Sequence, residues 1–553
     1  MGWSGKPAAG TLGWARHPVA VLVAVALALR LATLTWGMSL GAASGWYHPD
    51  ESKVWSSVVG FPHNYLTNPT FIYGTALQYT IGTLLYPFKR LWAAGHSLLP
   101  ISYRQFAVLA IRLFHAMLGA ATVALLYQLA LRLWDRSTAL LSAALLSVCF
   151  LHVLNSALTT LDVPMGFLVV LGALLAARAS DSLRTRDFLV LGVVLGYLAG
   201  TKVTGAALAV VPIVLAVTAP RSERRRWIVG TAIVGSVIIA VFALSTPHVV
   251  LHPRAYLASM AHLRMEWVNA VRHTPSEIVR VWLKALTIAL MPAVAVLALI
   301  GLAIGRAAPA ARRLEFALLA YLATQVLIWR AYLPSRFLLP IAPILCAYAA
   351  RSLVLMSRGT RPWLRRAAPA VTTLVLISTL AAVLVGIWVR WHDPRTEAAQ
   401  AIRRLVPEGS RVGFASRVAP GARWARAMRG TGVIMSADSE IQDTRWLFPT
   451  VDAARYRITS GLARPAFLVI NDWTPGLNWF PGGVQPPTPE EFHAHDELLR
   501  KGWGYVQLGY WGPASRLPVE QMISSIGLYR LEPAAPRDSV SESQLSHSYD
   551  LLH

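Results

Sequence analysis

The chain has 553 residues, of which 55% are hydrophobic and 14% charged, with a mean hydropathy of +0.48. Soluble domains carry about 25% charged residues, so this composition excludes a wholly water-soluble globular protein. The formal net charge is +24, which would suit a nucleic-acid partner, but the basic residues sit mainly in short loops between apolar runs, the pattern of membrane topology and not of a nucleic-acid-binding face. Cys149 and Cys346 both fall inside apolar runs, where core thiols sit, and no disulfide framework is readable.

Runs of roughly 20 apolar residues are long enough to cross a hydrocarbon core about 30 Å thick. The first, Val19 to Leu40, is longer than a typical signal-peptide core and lacks a clean cleavage site, so it reads as the first span, with Arg30 facing protein and not lipid. A polar loop, Gly41 to Arg104, follows, and its amphipathic stretch Phe71 to Trp92 suits helices lying at the interface. Further spans are predicted over Gln105–Leu131, Thr138–Ala157, a fourth that ends at Arg178 after a short turn holding Asp162, Phe188–Gly200, Val203–Thr218 and Ile228–Leu244. A loop of about thirty residues, Ser245 to Ser276, precedes a span ending at Ile304, then Phe316–Trp329, Phe337–Leu355 and Ala368–Val389, about eleven in all. The loops after the second, fourth, sixth, eighth and tenth spans are Arg-rich, while those after the third, fifth and ninth are short and carry few cations. Lys and Arg mark cytoplasmic loops, so the N-terminus is expected inside and the region from Arg390 outside.

Beyond that point the composition changes. Glu397 to Leu405 is helix-like, while Arg411–Phe414, Phe467–Ile470, Tyr505–Leu508 and Gly527–Leu531 are short strand candidates. The segment Pro475 to Pro489 reads as loop, and the last residues as a disordered tail. The expected fold class is therefore an all-α polytopic membrane domain over residues 1–390, with 41–104 as its first outer loop, followed by a soluble α/β domain over 391–553.

The outer loops hold the chemistry. In His48-Pro49-Asp50-Glu51, Pro and the acids fit the first turn of a helix, which accounts for the local order. Two carboxylates at a bilayer edge are also costly, and such groups usually do work. Neighbours on a helix point about 100° apart, so Asp50 and Glu51 cannot aim at one atom. One suits a general base for an acceptor hydroxyl, and the other an orienting group. Asp162, ahead of Val-Pro, reads either as the N-cap of the fourth span or as a second outer acid. Lys202, in Gly200-Thr-Lys-Val-Thr-Gly205, reads as snorkelling or as an anion contact. Arg336 opens the tenth span, and Arg112 lies about two turns into the second, where it suits a buried acid or a phosphate. His248, His252 and Arg264 lie in the loop after the seventh span, where histidines are ordinarily just solvated. Together, acids and isolated cations on one membrane face form the charge clamp that a departing phosphate needs. No metal motif, P-loop or nucleophile elbow is present, and a divalent cation as cofactor is left open.

The pattern resembles the GT-C glycosyltransferases. Asp50-Glu51 after the first span, Tyr65-Leu-Thr-Asn-Pro-Thr-Phe-Ile-Tyr73, Arg112, Asp162 before a Pro, Gly200-Thr-Lys202 and Arg336-Phe-Leu-Leu-Pro340 are similar to bacterial members of the protein mannosyltransferase and aminoarabinose transferase superfamily (family 39-like), over about residues 15 to 390. The resemblance implies a polyprenyl-phosphate sugar donor, an inverting displacement at the anomeric carbon, and a base in the first outer loop matched by Asp50. It further implies that Asp162 is the second-loop acid and Lys202 a contact to the donor phosphate; Arg336, Arg112 and Arg264 are further phosphate-binding candidates by their own positions. His48, His248 and His252 stand near them in sequence terms, and membrane lipids surround the whole. The acceptor, whether protein, lipid or glycan, matches no motif. Such an enzyme is expected in the inner (cytoplasmic) membrane of a bacterium with its site facing outward. The alternative is a transporter or flippase of lipid-linked or envelope precursors. That class more often shows inverted repeats and helices broken near the midplane, and the sequence shows neither repeats nor paired Gly/Pro breaks.

Overall fold

The structure, a computed structural model, describes residues 12–37, 49–67, 74–96, 99–269, 274–329, 335–407, 410–417, 457–458, 466–472, 505–511 and 525–531. The chain divides into two compact units, one of Met1–Leu34 and Lys53–Leu384, the other of Thr35–Ser52 and Val385–His553.

The first unit is helical. Helix α1 (Leu12–Leu31) stops well before the predicted Leu40, and a turn over 32–37 follows that ends on Gly37 at φ 68°, a conformation Gly adopts at little cost. Helix α2 (Pro49–Gly60) opens with Pro in its first turn, where the missing N–H costs nothing. Helix α3 (Ala76–Ala93) falls within the predicted amphipathic stretch, whose residues 71–73 lie outside the described ones. It turns Leu77, Ile81 and Leu85 onto Val54 and Val58 of α2 and onto Ala107 and Ile111 of α4 (Tyr103–Leu133). A capping box starts α4: Gln105 N–H donates to Ser102 Oγ at 3.2 Å, and Ser102 N–H to Gln105 Oε1 at 2.9 Å.

The predicted third span is two helices, α5 (Arg136–Ser147) and α6 (Phe150–Ser156), bent by 55° at 148–149. Arg30, fully buried, closes that break. Its guanidinium donates to the Leu146 and Ser147 carbonyls at 3.3 Å each, to Ala26 O at 2.8 Å and to Ser156 Oγ at 3.2 Å, and lies 2.9 Å from His152 Nδ1. These acceptors are all uncharged in that arrangement, so dipoles alone offset the buried cation. Helices α7 (Asp162–Ser182), α8 (Thr185–Thr201), α9 (Val210–Val217, after a 3-10 turn from Val203) and α10 (Arg221–Ser245) follow. The predicted loop after α10 holds two more helices, α11 (Pro247–Leu251) and α12 (Pro253–Asn269), each opened by a proline.

Next come α13 (Pro275–Leu290) and α14 (Pro292–Ile304), bent by 116° at Met291, whose φ is 71°. A proline cannot donate to the preceding turn, so an unbroken span through residue 292 is disfavoured. Two broken segments thus exist where the apolar runs alone suggested straight spans. Helices α15 (Arg312–Ile328), α16 (Ala342–Arg358) and α17 (Pro362–Trp391) complete the series. By length and composition α4, α7, α10 and α17 can each cross a membrane, and up to six segments can if each bent pair counts as one. Helix α8 packs on α10, α14 on α16, and α4 on α1, α5 and α7. Cys149 and Cys346 are buried free thiols.

In the second unit Trp36 Nε1 donates to Asp393 Oδ2 at 3.0 Å, and the Arg390 guanidinium lies 4.3 Å from the Trp36 ring centroid. Helix α18 (Pro394–Leu405) is followed by β1 (Arg411–Arg417), β2 (Arg457–Ile458), β3 (Phe467–Asp472), β4 (Tyr505–Trp511) and β5 (Ser525–Leu531). They form one sheet of order β2-β1-β3-β5-β4, parallel across β2-β1-β3 and antiparallel beyond, with Val412 opposite Phe467 and Leu468 opposite Tyr529.

Candidate active site

Three residues weighed separately in the sequence meet in the first unit. Asp162 is the first residue of α7, Lys202 the extended link (φ −154°, ψ 128°) between α8 and the 3-10 turn, and Arg336 lies in a short 3-10 helix, Ser335–Leu338, ahead of α16. Lys202 Nζ donates to Asp162 Oδ1 at 2.8 Å, and Arg336 Nε lies 3.9 Å from Asp162 Oδ2. All three are buried, at 3, 8 and 8% exposure. Asp162 therefore does not cap α7, whose N-cap is Leu161 with no side-chain hydrogen bond, and Lys202 does not snorkel to water.

Aromatic rings line the cations. Lys202 Nζ stands 4.2 Å from the Phe337 ring centroid and 6.0 Å from that of Trp329, and Arg336 Cζ is 5.4 Å from Phe337. The two rings lie 4.4 Å apart at 38°. Ring faces attract cations, and these add to the hold of Asp162 on both heads. Two cations thus meet one carboxylate in a dry setting, where charges interact strongly. Phe337 stands inside the Arg336–Pro340 motif but was given no role in the sequence, and Trp329 was not singled out there at all.

Glycines set where Lys202 sits. A Cβ on Gly74 would lie 2.0 Å from the Gly200 carbonyl oxygen, and one on Gly200 would lie 2.3 Å from Ser245 Oγ. The segment before α3 thus runs backbone to backbone against the end of α8. Thr75 Oγ1 donates to Ser245 O at 2.8 Å, and Tyr65 Oη to Leu244 O at 2.6 Å, so the last carbonyls of α10 are satisfied from the segment between α2 and α3.

The other expected residues fall as follows. Arg112 is fully buried in α4, and its Nη1 donates to Leu34 O at 2.8 Å. Glu51 is buried in the first turn of α2. Asp50 occupies the same turn, but its side chain lies outside the described residues, as do that of Arg264 in α12 and the whole of His48. His248 is buried in α11 and His252 exposed just beyond it. Burial, then the neighbouring His252, pushes the His248 imidazole down to about 4, so it is neutral at physiological pH. Among the described residues no group of three or more His, Cys, Asp or Glu could hold a metal ion.

Residues 101–250, which include Arg112, Asp162, Lys202 and His248, match the family described as "Dolichyl-phosphate-mannose-protein mannosyltransferase". That segment, about a quarter of the chain, is similar to a family of glycosyltransferases that use a lipid-linked sugar. No curated protein matches it. Similar solved structures include the archaeal oligosaccharyltransferase AglB from Archaeoglobus fulgidus, in complex with an inhibitory peptide and a dolichol-phosphate, at 13% identity and TM-score 0.48, over 97% of this chain and 75% of that one. ArnT from Cupriavidus metallidurans bound to undecaprenyl phosphate is similar at 14% identity and TM-score 0.46, over 92% of this chain and 97% of that one. The family segment, not these likenesses, carries the functional reading that follows.

Proposed function

We propose that the chain is a glycosyltransferase that moves a sugar from a polyprenyl-phosphate carrier to an acceptor hydroxyl of a protein, lipid or glycan, with inversion at the anomeric carbon. The observation that carries the reading is the buried Asp162–Lys202–Arg336 cluster, in which two cations meet one carboxylate and of which two members lie inside the family segment. The family's description names a dolichyl-phosphate sugar, and a donor of that chemical class brings one phosphate to such a site. Asp50, in the first turn of α2, takes the proton of the acceptor hydroxyl. The new bond forms between that oxygen and the anomeric carbon. The bond from this carbon to the phosphate oxygen breaks, and the polyprenyl phosphate leaves with the electron pair. Its growing charge is met by Lys202 and Arg336, which therefore help most in the transition state. Asp162 holds both cations in place, and Glu51 orients the loop. Arg112, Arg264, His48, His248 and His252 are the next contacts to test around the donor.

Residues 1–390 form the catalytic membrane domain in this reading, with about eleven spans and the N-terminus inside. The enzyme resides in a bacterial cytoplasmic membrane with its site and residues 391–553 outside. Labelling of single cysteines in intact cells tests the sidedness: position 392 should react and position 224, in the densest basic loop, should not. Both are exposed, and the native cysteines are buried. The chemistry is tested with Asp50→Asn in nanodiscs supplied with a purified polyprenyl-phosphate sugar. Turnover should fall by about 10²–10⁴-fold with insertion unchanged. Near-normal turnover would remove Asp50 from the base role.

A further inference from the structure

On the arginine-rich side, between the α7–α8 turn and α10, lies a cavity of about 310 Å³ lined by Leu183, Thr185, Phe188, Arg225, Arg226, Val229, Gly230 and Ile233. Its floor is apolar. The Phe188 ring lies over Gly230, where a Cβ would come within 2.4 Å of it, and meets the buried Trp227 ring edge-on at 5.3 Å. Val229 is half exposed beside it. Its rim is cationic. Arg225 and Arg226 sit in the first two turns of α10, two residues before the apolar run that opens at Ile228, and so at headgroup depth.

Neither guanidinium has an ion pair among the described residues, because the nearby acids are taken: Asp187 lies 2.9 Å from Arg178 Nε and accepts from Ser182, Glu223 lies 3.3 Å from Arg313, and Asp181 pairs with Arg132. Thr185 opens α8, a helix of 17 residues whose N-cap, Arg184, makes no side-chain capping bond, so the positive end of that helix faces the same rim. Leu183, left-handed at φ 51°, makes the reversal that exposes it.

We propose that this cavity binds one anionic glycerophospholipid of the leaflet that faces the arginine-rich start of α10, Arg221–Arg226. Two unpaired arginines and a helix N-terminus recognise the phosphate, and the apolar floor takes the start of an acyl chain. A free phosphate ion would use the rim and leave the floor unfilled, so the amphiphile fits both halves of the lining. The site is distinct from the Asp162 cluster and is read out by lipid binding, not by sugar transfer, so its failure leaves the proposed reaction untouched and the reverse also holds.

The test uses the full chain in nanodiscs of mixed phosphatidylglycerol and phosphatidylcholine, released into a native mass spectrometer that counts retained lipid. Wild type should retain phosphatidylglycerol over phosphatidylcholine. Arg225→Gln with Arg226→Gln should weaken that preference roughly 10- to 30-fold, as expected for two cations near an anionic headgroup. Val229→Trp keeps both arginines but fills the floor, and should lose the lipid as well, which a merely electrostatic attraction would not do. Both changes lie on exposed positions, and size-exclusion profiles matching wild type establish that the variants fold. Three results would overturn the proposal: an unchanged preference in the double Gln variant, full retention in Val229→Trp, or displacement of the lipid by millimolar inorganic phosphate or by polyprenyl monophosphate in preference to phosphatidylglycerol.

Discussion

The two faces of the first unit use the same ionic chemistry under opposite conditions. On the arginine-rich face, Asp135 meets Arg351 at 3.1 Å and Arg358 at 2.9 Å, and Arg132 meets Asp181 at 2.5 Å, with the last pair 44 and 66% exposed. On the other, Asp162 meets Lys202 and Arg336 with their side chains only 5 to 10% exposed. Exposed pairs trade one set of water contacts for another and contribute little. A buried pair has already lost its water, so each partner depends on the other. The arginine-rich face is tied together by many weak contacts and tolerates losing any one. The Asp162 face concentrates its cost in three side chains, as a site that must hold a third charge would.

That contrast can be broken by substitution. The largest stability effect should come from Asp162→Ala, which removes the carboxylate that the buried Lys202 and Arg336 share and should cost about 3–5 kcal/mol in a thermal or denaturant melt. Pairing it with Lys202→Met should recover part of the loss, and no recovery would mean that the pair is not the source of the cost. Lys202→Ala and Arg336→Ala should each lower kcat/KM for the lipid-linked donor by roughly 10- to 150-fold, the value of one charge-assisted contact. Arg336→Lys should restore only part of that, because Lys cannot make a two-pronged contact. Next in size is Asp135→Ala, which removes the cap on α5, where Thr138 N–H donates to Asp135 Oδ1 at 3.0 Å. About 1 kcal/mol should be lost.

The Asp135 carboxyl is partly desolvated, which works upward, but the Thr138 N–H and the Arg358 charge outweigh this and hold it below its ordinary value. Its contribution is therefore complete above the ordinary carboxylate pKa and fades as pH falls through the lowered one. Asp135→Asn should flatten that acid slope. The smallest effect belongs to Asp181→Asn, which should shift stability by less than about 1 kcal/mol and transfer not at all.

The spans were legible because an apolar run of bilayer length has few alternatives, and α4, α7, α10 and α17 follow those runs within a few residues. The breaks were less so. Pro292 was a readable signal for the bend after α13, but the bend at 148–149 rests on Arg30 drawing the last carbonyls of α5, a contact more than a hundred residues away in sequence. Helices α11 and α12 were missed because their short apolar stretches resemble loop between two prolines. In the site, the sequence named Asp162, Lys202 and Arg336 and placed them on one face, yet offered bland readings for the first two as a cap and a snorkelling chain. Only packing shows the acid turned from its own helix end toward the cations. In the second unit, runs such as Phe467–Ile470 announce β3, whereas β2, two residues long with Arg457 in it, carries no pattern to read.

In the proposed reaction, the approach of Gly74 to Gly200 ties the placement of Lys202 to the stretch that leads into α3. Nothing larger than hydrogen fits between those backbones, so any shift of the chain at position 74 is passed to Lys202 one peptide beyond Thr201. A lineage that re-aimed this enzyme at a new acceptor would have to do its tinkering upstream of that joint. Residues 74 and 200 would stay fixed while the loop diversified, a frozen seam beside an evolving one.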